Sequence, residues 1–62
     1  MTTTYTLQHN DHKTHYIFTC ESSYINVMIV EHRAPVYSTT LCLSVDVGLE
    51  LWHQLRQAGF EE

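Results

Sequence analysis

Glycine, proline, cysteine and basic residues are all scarce in this chain of 62 residues, which has two glycines, one proline, two cysteines and three Lys or Arg. The two glycines, at positions 48 and 59, form no glycine-rich loop of the kind that binds phosphate groups. Two cysteines are too few for the disulfide frameworks that stabilise small secreted domains. These absences argue against a nucleotide-binding enzyme and against a disulfide-bonded secreted protein.

The charge balance disfavours nucleic acids and acidic membranes as partners. Seven acidic residues against Lys13, Arg33 and Arg56 give a formal net charge of −4 with histidines neutral. Three scattered bases neutralise few of the phosphates on which non-specific nucleic-acid binding depends. No apolar run approaches the ~18 residues that span a bilayer, and the start, M-T-T-T-Y-T, lacks the basic and hydrophobic parts of a signal peptide. We therefore expect a cytoplasmic protein with no membrane partner.

The short length predicts one small domain, residues 1–62, of marginal stability. A core of this size seldom contributes more than ~3–5 kcal/mol. The apolar fraction of 44% and the charged fraction of 16% are typical of a globular protein. Because disulfides and an established metal motif are lacking, oligomerisation is the expected source of further stability, and we predict a homodimer.

Alternation of apolar and polar residues with a period of two predicts four strands, over residues 2–9, 14–20, 24–32 and 36–43. Turn-forming residues separate them: Asn10 and Asp11 after the first, serines after the second, and Pro35 before the fourth. The third segment is the most apolar, so we expect it to be a central strand.

The period changes to that of a helix after the fourth strand. Ser44 is suited to cap the first amides, and Asp46 and Arg56 lie where a helix dipole favours an acid and a base. We predict a helix over residues 45–58 with Gly59 as its C-terminal cap. The fold class is therefore α+β, a four-stranded antiparallel β-meander with one C-terminal α-helix packed on one face (ββββα).

One side of this helix is apolar over a wider arc than a single sheet face requires. The arc consists of Val47, Gly48, Leu51, Trp52, Leu55 and Ala58, and it is extended by Val45 and Leu49. Gly48 would let the helix axis approach the sheet closely. A stripe of about 100° is enough for packing on one surface. Either Trp52 covers an edge of the sheet, or the Leu49–Trp52 side of the helix contacts a second protein.

The sheet face away from the helix is the other predicted contact surface. Tyr24, Met28 and Val30 would be exposed there, joined by Ile17 or by Tyr16 and Phe18, depending on the register. Single exposed apolar residues are ordinary, but a contiguous patch usually marks a contact. The predicted partner-binding residues are Tyr24, Met28, Val30, Leu49 and Trp52.

The segment H-N-D-H-K-T-H is the most unusual local feature. His9, His12 and His15 lie across a predicted hairpin, and three neutral imidazoles can bind zinc at ~2.0–2.1 Å. Their spacing matches no established motif, so they are only weak candidates, and we assign no metal and no cofactor. The alternative is a pH-sensitive surface, because histidine titrates near pH ~6.5.

No catalytic constellation is recognisable. Cys20 and Cys42 fall on the second and fourth strands, where a meander would separate them by about 9–10 Å, beyond the reach of a disulfide. Cys42 precedes the helix closely enough to leave a reactive thiolate open as a weakly supported alternative. The carboxylates are spread over turns, strand ends and the tail, so no acid–base pair is evident. We expect the protein not to be an enzyme.

The order of elements, with the strand-to-helix junction L-C-L-S-V-D-V-G-L-E-L-W-H-Q-L, resembles that of the single-stranded-DNA-binding transcriptional coactivators. This resemblance implies a dimer that binds a DNA strand across its sheets. The basic residues that the family places on its strands are absent, however, and Thr, Ser and Asn occupy those positions. No binding residue is carried over from the family.

These observations together predict a small non-enzymatic protein-binding module of the regulatory, adaptor or inhibitor type. It would act through the exposed apolar sheet face, the helix edge or both, as a homodimer. The alternative is a transcription-linked module that binds single-stranded nucleic acid, and a third interpretation is a histidine-based metal or pH sensor.

Overall fold

The structure, a computed structural model, describes residues 2–62, so Met1 of the predicted domain lies outside the described residues. It contains β1 (Thr3–Leu7), β2 (Thr14–Cys20), β3 (Tyr24–Glu31), β4 (Tyr37–Ser44) and α1 (Val45–Gln57). The strands pair antiparallel in the order β1-β2-β3-β4 to form one open sheet, and α1 packs against it. The predicted ββββα fold is confirmed, with β1 and β3 shorter than expected and β4 displaced by one residue.

The register decides which side chains face the helix. Residues directly opposite each other in an antiparallel pair lie on the same side of the sheet. Phe18 lies opposite Val27, whereas Ile17 lies opposite Met28. Tyr16 and Phe18 therefore face α1, and Ile17 joins Met28 on the other side, which we call the open face. Of the two alternatives that the sequence left open, Ile17 therefore joins the open face, and Tyr16 and Phe18 do not.

The hydrophobic core lies between the sheet and the helix. Its buried side chains are Leu7, Phe18, Ile25, Val27, Leu55 and Phe60. Half-buried apolar side chains surround them: Tyr16, Cys20, Ile29, Leu43, Val45, Leu51 and Trp52. Phe60, which lies beyond the helix, is a core residue that the sequence analysis did not identify.

Helix α1 begins as the sequence predicts. The Ser44 hydroxyl accepts a hydrogen bond from the Val47 amide at 3.3 Å, which satisfies one of the free donors of the first turn. Asp46 lies in the first turn and Arg56 in the last. Both charges are placed to stabilise the helix dipole.

The C-terminal end of the helix is closed by a Schellman motif. The Gly59 amide donates to the Arg56 carbonyl at 3.1 Å, and the Phe60 amide donates to the Leu55 carbonyl at 3.0 Å. Gly59 has a φ of 101°, which a residue with a side chain rarely adopts. Ala58 is the capping residue and α1 ends at Gln57, so the helix is one residue shorter than predicted.

The chain then turns back along the sheet. Glu61 and Gln8 exchange two backbone hydrogen bonds of 2.8 Å, which attach the C-terminal segment beside the end of β1. The Schellman motif and this bridge together hold Phe60 in the core. The sequence analysis predicted neither contact.

The buried arc of α1 is narrower than predicted. Gly48 and Leu55 are buried, but Val47 is 51% exposed and Ala58 is also exposed. Val47 lies beside Leu41 and Leu43 of β4. β4 is at the edge of the sheet, and no further strand among the described residues shields Val47 from solvent. Residues 2–62 contain no helix with the length and apolar character needed to cross a membrane.

Candidate functional site

The open face carries an uncovered apolar patch, the open-face patch, formed by Ile17, Met28 and Val30. Ile17 lies directly opposite Met28 on the neighbouring strand, and Val30 is two residues further along β3. Met28 is 40% exposed, and the other two are half-buried. Tyr24, also predicted for this surface, is 38% exposed but separated from the patch by Asn26. No element within residues 2–62 packs over these side chains.

The helix edge forms a second apolar surface, on the opposite side of the sheet. The Trp52 ring makes edge-to-face contacts with Phe18, at 5.1 Å between centroids, and with Tyr5, at 5.7 Å. Because Tyr5 belongs to the edge strand β1, Trp52 covers an edge of the sheet, which is the first of the two predicted alternatives. Leu49 remains 48% exposed.

Leu49 and Trp52 border an open groove of about 160 Å³. Its lining consists of Tyr5, Phe18, Cys20, Ile25, Gly48, Leu49 and Trp52. Small-molecule sites usually measure about 300–1,000 Å³, so this groove is too small for a typical metabolite. It is large enough for one apolar side chain of a partner.

The histidines form two separate pairs instead of one cluster. The rings of His9 and His12 contact each other, at 4.7 Å between centroids, and both pack on Phe60 at 5.4 Å. His15 instead lies beside His32, with 2.6 Å between His15 Nδ1 and His32 Nε2. The described residues contain no group of three or more side chains placed to hold a metal ion. The structure therefore does not bring the three weak metal candidates, His9, His12 and His15, together as one set.

Strand alternation explains this separation. His15 lies opposite Val30 on the open face, whereas His9 contacts Phe60, which packs in the core on the helix side. His32 follows β3, and its amide donates to the Lys13 carbonyl at 2.7 Å, which continues the β2–β3 pairing. His32 was not among the residues predicted to form a site, although counting back from the turn between β2 and β3 places it near His15.

Burial lowers the pKa of His15 below its ordinary value of 6.5, and the neighbouring His32 lowers it further. A bond between two imidazoles needs one protonated and one bare nitrogen. Two imidazolium rings at this distance would lose the bond and repel each other. The pair is therefore most stable with at most one positive charge.

The cysteines lie on opposite sides of the sheet. Cys20 is opposite Ile25 on the helix side, and Cys42 is opposite Asn26 on the open face. Both are free thiols. The prediction that β3 separates them beyond disulfide reach is confirmed.

The basic residues form no continuous surface. Arg33 bonds Glu31, with 3.2 Å between Nε and Oε2, and its guanidinium lies 5.0 Å from the centroid of the Tyr37 ring. Lys13 lies in the turn before β2, and Arg56 is in the last turn of α1. The described strands carry no run of free bases that would follow a phosphate backbone.

Comparison with known protein families, with curated proteins and with solved structures found no match. The open-face patch, the groove beside Trp52 and the His15–His32 pair are therefore the features from which a function can be proposed. Of these, the open-face patch is an apolar surface that no element of the described residues covers.

Proposed function

We propose that this protein is a small, non-enzymatic protein-binding module of the regulatory, adaptor or inhibitor type, which acts as a cytoplasmic homodimer. The observation that carries the proposal is the open-face patch. Ile17, Met28 and Val30 lie side by side on one face of the sheet, and α1 packs on the other face. Contiguous exposed apolar patches usually mark protein contacts.

The groove beside Leu49 and Trp52 supports the same function. It would accept one apolar side chain of a partner, and aromatic residues such as Trp52 are frequent at the centres of protein interfaces. The described residues contain neither a group of side chains placed to hold a metal ion nor a continuous basic surface. This also favours a protein as the partner. The net charge of −4 favours a partner whose contacting surface is neutral or basic.

The experiment is capture of the partner from cell extract, with charged variants as matched baits. Met28→Glu and Val30→Glu place a carboxylate in the open-face patch, and Gln57→Glu places the same charge at an exposed position of α1 outside the groove beside β4. We expect the wild type and Gln57→Glu to retain one common protein, and the two patch variants to lose at least 90% of it. Circular dichroism of each bait checks that the fold is retained.

Trp52→Glu tests whether the groove contributes to the same contact. Loss of the partner in this variant alone would place the binding surface on the helix edge. Equal retention by Met28→Glu, Val30→Glu and Trp52→Glu would contradict the proposal, because a partner that binds through an apolar surface cannot tolerate a charge at its centre.

A second function is supported by the His15–His32 pair, which borders the open-face patch at Val30. Protonation of His15, whose pKa is lowered by burial and by His32, would put a positive charge beside an apolar contact surface. A module of this kind would release or rearrange its partner as the pH falls below about 6.5, the usual range of histidine switches.

A further inference from the structure

The two edges of the sheet are protected to different degrees. β1 has five residues, and its end is covered by the bridge from Gln8 to Glu61. β4 has eight residues and contains no charge and no proline, and within residues 2–62 no strand pairs with its outer side. Natural sheets usually shield such an edge with charges, prolines, bulges or a covering loop, because a free edge pairs with other strands. β4 shows none of these devices.

The pairing pattern shows which backbone groups of β4 point outward. The His32 amide donates to Lys13 and the Glu21 amide donates to Tyr24, at the two ends of the β2–β3 register. Alternate pairs are hydrogen-bonded in an antiparallel ladder, so the even-numbered residues of β3 bond to β2 and the odd-numbered ones bond to β4. The even-numbered residues of β4 then direct their amides and carbonyls outward.

Four residues of β4 have this outward orientation: Ser38, Thr40, Cys42 and Ser44. Ser44 is also the N-cap of α1, and the carbonyl of an N-cap accepts the first hydrogen bond of its helix, so Ser38, Thr40 and Cys42 are the three that keep both groups free. The opposite edge of the sheet agrees with this assignment of outward-pointing backbone groups. The same alternation, carried through β1, directs the backbone groups of Gln8 outward, and Gln8 does bond to Glu61 on that side. The free amides and carbonyls of Ser38, Thr40 and Cys42 thus lie along the outer side of β4, symmetrically about Thr40.

We infer that β4 pairs antiparallel with β4 of a second copy of this chain, with Thr40 at the two-fold axis. Thr40 would lie opposite its own equivalent, and Ser38 opposite Cys42 of the second copy, giving about six hydrogen bonds because each such pair makes two. The inference rests on the proposed homodimer and identifies the surface that joins its two copies.

Charge favours a second copy at this edge. Each chain carries a net charge of −4, so two copies repel each other unless they meet where no like charges come together. β4 provides an uncharged edge of eight residues. In such an isologous contact both copies use the same edge, so neither β4 edge remains free after two copies have paired. Pairing therefore stops at the dimer instead of extending into a fibre.

Exposed apolar side chains lie beside the same edge. Leu41 is 38% exposed and Val47 is 51% exposed, and with Leu43 and Leu51 they line an open groove between β4 and α1. Pairing of the two edges brings the equivalent groove of the second copy alongside and removes part of this surface from water. The two open faces then become neighbours on one continuous sheet, which doubles the surface offered to a protein partner.

Proline substitution on the two edges gives a matched test. Thr40→Pro removes an amide that points outward from β4, and Thr6→Pro removes one that points outward from β1 by the same alternation. Prolines are tolerated at such edge positions because no ladder bond is lost. In sedimentation we expect dimers of the wild type and of Thr6→Pro, and a monomer of Thr40→Pro with the same circular dichroism spectrum.

A crosslinking variant serves as a second test that leaves the backbone unchanged. Cα atoms of a hydrogen-bonded pair are about 5.5 Å apart, within disulfide range. Thr40→Cys in a Cys42→Ser background should therefore form a covalent dimer on mild oxidation. Thr6→Cys in the same background is the control, and we expect at least tenfold less crosslinking from it.

The outcomes separate this inference from the function on which it rests. A dimer that survives Thr40→Pro, with crosslinking of Thr40→Cys no greater than that of Thr6→Cys, overturns the β4 pairing and leaves the homodimer standing. Dissociation by Met28→Glu or Trp52→Glu would then identify the surface used instead. A wild-type monomer at high micromolar concentration overturns both the β4 pairing and the homodimer, and leaves only the foreign partner tested by the baits.

Discussion

A methyl group added at Gly48 would stand 2.7 Å from Cδ1 and 2.9 Å from Cβ of Ile25. Helix α1 therefore crosses β3 without room for a side chain between them. The end of the Ile25 side chain can rotate away, but its Cβ is fixed to a central strand. The sequence analysis predicted a close approach at Gly48, and the structure identifies Ile25 as the residue that is approached.

Gly48→Ala should destabilise the protein even though alanine is the better helix former. The gain in helix propensity is about 1 kcal/mol, whereas overpacking a filled core costs about 1–3 kcal/mol. We expect a net loss that lowers the melting temperature by about 4–8 °C per kcal/mol in a domain of this size. Thermal unfolding followed by circular dichroism measures it.

A double variant tests whether the loss of stability in Gly48→Ala comes from steric overlap with Ile25. Ile25→Val removes the Cδ1 atom, so Gly48→Ala with Ile25→Val should cost less than the sum of the single changes. Additive losses, or a higher melting temperature for Gly48→Ala alone, would mean that α1 is not docked at this distance.

Phe60→Ala should unfold the domain. Phe60 is 6% exposed and packs against Leu55, Tyr16 and the rings of His9 and His12. Truncating a buried phenylalanine costs about 3–5 kcal/mol, which is as large as the whole expected stability of ~3–5 kcal/mol. Glu61→Ala is the control, because the bridge to Gln8 uses only backbone atoms. Urea unfolding measures the denaturation midpoint of each variant. A midpoint of Phe60→Ala close to that of Glu61→Ala would show that Phe60 is not part of the core.

The periodicity of the sequence was sufficient to predict every strand, the helix and its start at Ser44. It was not sufficient to predict Phe60, because a single apolar residue after the helix has no period to reveal it. The relevant signal was the Gly59–Phe60 pair itself, since an apolar residue often follows a helix-ending glycine and packs back on the helix.

The register of the strands was equally hidden from sequence reasoning. Alternation showed that Ile17 and Phe18 lie on opposite faces, but only the pairing with Met28 and Val27 shows which face each one takes. The contact between His15 and His32 depends on the same long-range pairing. Local patterns therefore predicted the elements, whereas the surfaces that support a function depended on how the elements pair.

Single-stranded nucleic acid should bind weakly. The chain has three Lys or Arg, and Arg33 is already bonded to Glu31. For single strands the slope of log affinity against log salt is about −0.7 per phosphate contact, so this chain should give a slope no steeper than about −2. Fluorescence anisotropy with mixed-sequence oligonucleotides over a salt series measures both quantities. Tight binding with a steeper slope would favour the nucleic-acid alternative over the protein-binding module.

The His15–His32 pair should make stability depend on pH. The folded state lowers the pKa of His15, through burial and then through His32, whereas the unfolded chain has the ordinary value of about 6.5. The unfolded state therefore binds more protons, and the free energy of unfolding rises with pH. The stabilisation is complete above pH ~6.5 and is lost as the pH falls through the lower, folded pKa. The nearby charged residues are Lys13, Glu31 and Arg33, of which the last two neutralise each other.

We therefore expect the melting temperature of the wild type to fall between pH 7.5 and pH 5.5, a window chosen to lie above the ordinary carboxylate pKa values of about 4. His15→Gln should flatten this profile because it removes the perturbed group, and His32→Gln should flatten it partly because burial of His15 remains. His53→Gln, on the exposed side of α1, is the control and should leave the profile unchanged. If the wild type, His15→Gln and His53→Gln gave parallel profiles, the dependence would come from other groups, and the pair would have no role as a pH-sensitive element.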